Sequence, residues 1–499
     1  MNYPVWQLGF PGGLLIATVA VLHVFVSHFA VGGGAYLVLT EHRAYRRDDA
    51  DLLSYVRHHS KFFALLTLVF GAVSGVGIWF TIGLVSPEAT SSLIHTFVWA
   101  WDIEWVFFFV EIAAALIYAY QWDSLDRHTH LAIGWIYFVA AWASLVVING
   151  IITYMLTPGR WLQTKNFWDG FFNPTYWPSV LIRTAMATVL AGMFGLVTAL
   201  RQAPPVRARI VRWAGAWVAV GIVFLPPLGW WYYGRFPAFA HDYVAGLIPA
   251  GRVAVRSGIL GVAVALLLVL VFAFWKPNWM RAAVVVVLLI SGLAVMGSGE
   301  YLREFSRKPY VINGYIYAND VRVSDVERIS RLGVAQSSPW VAPAADDPMR
   351  YGRQLFVIQC GACHSLDGYR SMRSRVRGWD ETFAREMLPH LPLTRGTMPA
   401  YAGNEQDRAA LGRYLASLAP ATITGGNEKD IGRQVFAMRC ALCHTLGGKR
   451  RPLDFAGMDT DAIADFTRNL SDLSPDMPPF SGTESERHAL AVYLRESAQ

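Results

Sequence analysis

Cysteine is nearly absent: four residues in 499 leave no disulfide framework to hold this chain together. Charge is scarce as well, at 16%, against 54% hydrophobic residues and 19 tryptophans, a balance that excludes an ordinary soluble enzyme. The scarcity is local. Residues 1–300 carry 18 Lys/Arg and 13 Asp/Glu, whereas residues 301–499 carry 25 and 23, so the second part has the charge of a soluble region. The formal net charge of +7 comes mostly from the first part, and no basic stripe with interleaved aromatics accompanies it, so no nucleic-acid partner is expected. A basic segment ahead of the first apolar run is also missing. The opening MNYPVWQLGF therefore predicts no cleavable signal peptide, and the first helix is expected to stay.

What the first part does have is apolar length. Eight stretches approach the roughly 20 residues needed to cross a bilayer, at 12–39, 62–86, 94–120, 131–156, 179–200, 211–232, 254–275 and 281–300. They predict an all-α fold, a polytopic bundle of about eight transmembrane helices surrounded by lipid. With the N-terminus outside, the connections 40–61, 121–130, 201–210 and 276–281, plus Arg212, face inward with 12 Lys/Arg. The outward connections and helix ends hold six: Arg160, Lys165, Arg183, Arg235, Arg252 and Arg256. Positive residues favour the cytoplasmic side, so the chain is expected in the bacterial inner membrane with its soluble part on the periplasmic side.

All four cysteines fall in two Cys-x-x-Cys-His runs: Cys360, Cys363 and His364, then Cys440, Cys443 and His444. Two thioethers spaced three apart hold a porphyrin edge while the adjacent imidazole reaches its iron, so the runs predict two covalently bound c haems. A zinc site would need a second ligand pair nearby. The runs sit in an internal repeat of about 80 residues. YGRQLFVIQCGACH (351–364) matches IGRQVFAMRCALCH (431–444), and GTMPAYAGNEQDRAALGRYL (396–415) matches PDMPPFSGTESERHALAVYL (475–494). Met398 and Met477 follow the first cysteine of their units by 38 and 37 residues, and each precedes a proline. Their recurrence marks them as sixth iron ligands rather than core filler. The units resemble class I cytochrome c domains over about residues 345–499.

Ionisable groups within the hydrocarbon are costly and point to function. The first helix carries His23 and His28; the third carries Asp102, Glu104 and Glu111, with His95 ahead of them. At about 1.5 Å per residue, His23 lies level with Glu104 and His28 level with Glu111, giving two levels of paired histidine and carboxylate. His23 and His28 are candidate haem ligands, the alternative being a structural histidine bonded to a carbonyl. Glu104 and Glu111 are candidates for haem contact or proton relay, the alternative being a helix–helix hydrogen bond. His42, His58, His59, His128 and His130 fall in or beside inner loops and are expected to be solvated; His390 and His488 suggest no site.

The blocks LHVFVSHFAVGGGAYLVLTEH (22–42), IEWVFFFVEIAAALIYAYQWD (103–123), INGIITYMLTPG (148–159), NPTYWPSVLIRTAM (173–186) and GEYLREFSRKPYVI (299–312) resemble the large, haem-bearing subunit of the cytochrome bd oxygen-reductase superfamily. The resemblance spans about residues 8–312. It implies that His23 is the ligand near the oxygen-reactive haem and that Glu111 and Glu104 are the two carboxylates of the third helix, seven apart here where the family has eight. The departures are as informative. Where quinol oxidases of this family hold a low-spin haem b with histidine and methionine, this chain has Arg183 and about Gly258. The quinol loop shrinks to residues 234–252. The glycine-arginine-glutamine-proline-tryptophan tail reads Ser306, Arg307, Lys308, Pro309 and Tyr310; Glu300 is displaced by three residues from the family's carboxylate, and a ninth helix is missing.

The expected organisation is a bd-like membrane domain over 1–305, a linker over 306–344 and cytochrome c domains over 345–422 and 423–499. The expected function is that of a membrane-bound oxidoreductase. A soluble periplasmic donor, a cytochrome c or similar, passes electrons through two c haems to at least one non-covalent b- or d-type haem, where oxygen is reduced with Glu104, Glu111 and His23 at the site. A second membrane subunit is expected as a partner, and Arg183 and Arg256 suit haem propionates or interfacial snorkelling. The alternative is a non-oxidase electron-transfer subunit of a larger respiratory complex that exchanges electrons with quinone. Replacing Cys440 and Cys443 by Ala is expected to remove one of two covalently bound haems and leave non-covalent haem unchanged; an undiminished haem stain on denaturing gels refutes the attachment.

Overall fold

The computed structural model describes residues 8–244, 249–342, 347–420, 423, 425–446, 453–455 and 457–497. Residues 1–7 of the opening, 245–248 of the shortened outer connection, 343 and 344 of the expected linker, and 421 and 422 between the cytochrome repeats lie outside the described residues. Among the described residues, eight helices are long and apolar enough to cross a membrane: α1 (Gly12–Arg46), α2 (Ala50–Val85), α3 (Val98–Tyr120), α4 (Arg127–Tyr154), α5 (Tyr176–Ala199), α6 (Pro204–Tyr233), α7 (Gly251–Trp275) and α8 (Ala282–Phe305). The chain is a multi-pass membrane protein. Helices that satisfy their own backbone are what a bilayer tolerates, and the large apolar side chains left exposed on α2, α3 and α7 suit lipid.

The helices extend beyond the apolar runs at the charged end of the bundle. Residues 40–61, expected as an inner connection, are helix on both sides of a short turn, because α2 begins with an amphipathic stretch that mean hydropathy does not show. Asp49 caps that start by accepting from the Leu52 N–H at 3.0 Å, and the buried face is Leu52, Tyr55, Val56, His59 and Phe63. Asp126 caps α4 in the same way, accepting from the N–H groups of His128 and Thr129. Two histidines expected to be solvated are therefore buried. His59 is fully enclosed, its Nδ1 2.8 Å from Thr198 Oγ1 and its ring stacked on Tyr55. His130 lies between Glu41 and the Tyr118 carbonyl. His42, His58 and His128 are exposed.

The chain divides into two compact units. One comprises residues 15–83 and 89–307, with α5 at its centre: 72% of the apolar window of α5 is buried, far more than in any other span. Small residues make that centre possible, since a Cβ on Gly32 would stand 2.0 Å from the Ala187 oxygen and one on Gly192 2.4 Å from the Ala214 oxygen. Backbones of α1 and α6 thus reach α5 directly.

The other unit contains residues 308–499 together with 1–14 and 84–88. After a small hairpin of β1 (Tyr310–Ile312) and β2 (Ile316–Tyr317) it builds two helical cores. In the first, α9 (Pro348–Gln359) crosses α10 (Glu405–Leu418), burying Leu355, Phe356, Leu411 and Leu415. In the second, α11 (Glu428–Val435) crosses α12 (Glu484–Ser497), burying Val435, Leu490, Ala491 and Leu494. Gly352 and Gly432 hold the same place in the repeat: a Cβ would lie 2.2 Å from the Ala410 oxygen in one core and 1.9 Å from the Ala489 oxygen in the other. Phe356 meets Tyr414 at 5.9 Å, and Phe436 meets Tyr493 at 5.7 Å. Gly432→Val is expected to wedge the second crossing apart at a cost of about 1–3 kcal/mol or more, read as a lower midpoint in thermal unfolding of the full-length protein; an unchanged midpoint contradicts the close crossing.

Candidate functional site

In the soluble unit each Cys-x-x-Cys-His run closes a turn at the end of a helix. The N–H groups of Cys363 and His364 both donate to the Cys360 carbonyl, at 3.0 and 2.9 Å, and those of Cys443 and His444 to the Cys440 carbonyl, at 3.1 and 2.9 Å. Both cysteines and the histidine of each run are half-buried, and no disulfide joins the four cysteines. Burial and the neighbouring Cys363 push the Cys360 thiol up to about 12, and burial does the same to Cys440, so both begin as neutral thiols. His364 shows the arrangement of an iron ligand. Its Nδ1 can only donate to the Arg370 carbonyl, 3.1 Å away, which leaves Nε2 with its lone pair. Burial lowers the imidazole to about 4 and keeps it neutral, although the Arg370 carbonyl favours the charged form. Met398 and Met477 are half-buried and stand outside both hydrophobic cores, which leaves their thioethers available. These residues fit covalently attached haem.

The two runs share a joint that sequence reading missed. Arg439, directly before Cys440, donates to Asp380 Oδ2 at 2.7 Å, and Ser481 Oγ donates to the same oxygen at 2.8 Å. Although burial opposes it, the Phe383 N–H, Ser481 and Arg439 hold the Asp380 carboxyl below its usual range. Leu442, inside the second run, packs on the first core. The second attachment site is thereby fastened to the first repeat.

In the bundle, the expected levels of paired histidine and carboxylate do not become contacts. His23 faces α2, where its Nδ1 lies 3.1 Å from Ser74 Oγ; that hydroxyl gives its proton to the Phe70 carbonyl at 2.6 Å, so His23 is the donor and its Nε2 is unprotonated. His28 donates from Nδ1 to the Val24 carbonyl at 2.7 Å, and its Nε2 is buried without a hydrogen-bond partner. The carboxylates turn instead toward α4. Glu104 accepts from Ser144 at 3.0 Å and Glu111 from Tyr137 at 3.1 Å. Both histidines therefore hold the tautomer that an iron requires, which fits a non-covalent haem. Asp102 and His95 are exposed.

Arg183 is buried and donates to Glu300 Oε1 at 2.8 Å, while Arg303 donates to Glu300 Oε2 at 2.9 Å, so one carboxylate ties α5 to α8. Glu300, which the sequence reading left without a role, is the countercharge of Arg183; its spacing of three from Arg303 was the available signal. Arg307 pairs with Glu304 and reaches Met155 Sδ at 3.1 Å. Arg256 is exposed.

The fold and these sites define a class: a membrane-spanning helical bundle joined in one chain to a helical unit with paired Cys-x-x-Cys-His runs. Residues 14–232 match the family model described as cytochrome bd terminal oxidase subunit I, and residues 427–494 match that described as cytochrome C oxidase, cbb3-type, subunit III. The chain thus carries a cytochrome bd oxidase subunit I domain in its N-terminal part and a cbb3-type cytochrome c domain at its C-terminus, and these domains make it a haem protein of electron transport. A solved bd oxidase from Geobacillus thermodenitrificans is similar in fold, with a TM-score of 0.52 at 14% identity over 62% of this chain and 90% of that one.

His23→Ala is expected to cost the bundle at least one non-covalent haem while both c haems remain, measured as extractable haem per protein and by haem-stained gel. Full retention of non-covalent haem would mean that His28 or His95 is the ligand, or that the bd resemblance does not extend to the site.

Proposed function

We propose that this protein is a membrane oxidoreductase that takes electrons from a soluble periplasmic donor through two c haems and delivers them to a b- or d-type haem in the bundle, where oxygen is reduced to water. The observation that carries the reading is the joining of a bd subunit I domain and a cytochrome c domain in one chain. Haem supplies the one-electron and oxygen chemistry; the protein supplies position, protons and exclusion of water. His364 and Met398 would hold the iron in the repeat at 345–422, and His444 and Met477 in that at 423–499.

In the bundle His23 and His28 present unprotonated Nε2 atoms, while Glu104 and Glu111, bonded to Ser144 and Tyr137 on α4, serve as proton relays. Arg183 supports the shift of electron input away from quinol: it stands where the resemblance implies a haem-ligating histidine, and its guanidinium is bound to Glu300. The periplasmic placing of residues 345–499 rests on eight crossings and on the Lys/Arg asymmetry. A second membrane subunit completes the assembly.

Purified holoprotein is expected to consume oxygen when supplied with ascorbate and a redox mediator, and its reduced spectrum to shift with carbon monoxide, the sign of an open iron. Lack of both would favour the alternative, a non-oxidase electron-transfer subunit. Protease added to right-side-out spheroplasts is expected to release a haem-stained fragment; complete protection refutes the orientation.

A further inference from the structure

Proton supply to Glu111 is a requirement of the proposed reaction that the residues above do not meet, and a buried polar cluster at the charged end of the bundle answers it. Glu41, five residues before the end of α1, is wholly buried, as is His130 at the start of α4. His130 Nδ1 lies 2.9 Å from Glu41 Oε1, its Nε2 lies 3.0 Å from the Tyr118 carbonyl, and the Tyr118 hydroxyl donates to Glu41 Oε2 at 2.6 Å.

A carbonyl cannot donate, so His130 Nε2 carries a hydrogen in every state. The contact between Nδ1 and Glu41 then requires one further proton, held on either the carboxyl or the imidazole. Without it, a carboxylate and a nitrogen lone pair would face each other. The pair is a one-proton store.

The store has an opening on each side. Toward the charged end, the half-buried Tyr45 is within electrostatic reach of Glu41, and the Arg127 guanidinium lies 4.3 Å from its ring centre. Toward the interior, Tyr118 also lines a small cavity whose other walls are Gly34, Leu37, Ser60, Phe63, Ala115, Gly134 and Tyr137. Its size suits about one water; Ser60, Tyr118 and Tyr137 carry hydroxyls among its lining residues, and most of the lining surface is apolar. Across it, the Tyr137 hydroxyl stands 3.1 Å from Glu111 Oε1 and 3.1 Å from the Ala30 carbonyl, so its single hydrogen can turn to either.

We propose that Glu41 and His130 load a proton from the aqueous face at the α1–α2 and α3–α4 turns and pass it through Tyr118, the cavity and Tyr137 to Glu111. Each hydroxyl gives its proton forward and takes one from behind. The path begins with one proton taken from water and ends with one on Glu111, and no other group changes state. The proposal rests on the reading of Glu111 as a proton relay. Tyr137 and Tyr118 are conduits and Glu41 the loading group; none of them touches haem in this scheme.

The test separates this path from the oxidase reading. Reduced holoprotein in weakly buffered detergent is mixed with ferricyanide, an oxidant that consumes no protons, while haem absorbance and a pH-indicating dye are followed together. Wild type is expected to release protons on oxidation. Glu41→Gln and Tyr137→Phe are expected to slow that release about tenfold or more relative to haem oxidation, and Glu41→Asp to restore part of it. If Glu41→Gln fails to assemble with haem, Tyr137→Phe, which keeps the ring packing, decides. Release as fast as in wild type, or no release from wild type at all, overturns the path. Oxygen consumption by the same wild-type preparation judges the oxidase reading independently.

Discussion

A bilayer core offers no water to an unmatched charge, and the interior of the bundle is organised by that constraint. Glu300 is held by Arg183 and Arg303, Glu41 by His130 and Tyr118, Glu111 by Tyr137 and Glu104 by Ser144. All of these pairings but Glu300–Arg303, which lies within α8, join two helices, so the satisfaction of polar groups and the packing of the bundle are one problem. Small residues on α1, α5 and α6 allow the close approach that these bonds need. Two histidine nitrogens escape the rule: Nε2 of His28 and of His59 are both buried without a hydrogen-bond partner.

The soluble unit follows a different rule. Water satisfies its surface, and two small cores are each fixed by one glycine at a helix crossing. Each crossing leads into the turn that carries a Cys-x-x-Cys-His run, so packing presents the attachment chemistry. Asp380 and Arg439 then join the repeats.

Much of this was legible in the chain. Eight apolar runs announced eight spans, and the internal repeat announced two matching helical cores, because both signals are local and periodic. His23 and His28 were both marked by their depth, and the resemblance favoured His23; in the structure the Nδ1 of His23 faces Ser74 and that of His28 the Val24 carbonyl. The path through Glu41 and His130 was not legible. His130 lies three residues into a helix beside charged neighbours, a setting that in sequence is indistinguishable from a solvated end. Its burial follows from the helical continuation of α1 to Arg46, which hydropathy does not register.

The sequence by itself determined the membrane class, the number of spans and the repeated helical unit around each Cys-x-x-Cys-His run, because length, hydropathy and motif spacing act within a few tens of residues. Only the tertiary structure decided which charges meet. Glu300 finds Arg183 across 117 positions and Tyr118 finds Glu41 across 77, and no local pattern encodes such a pairing. A buried charge selects its partner from whatever the packing of helices brings within about 3 Å, and that packing is set by small residues scattered along the whole chain.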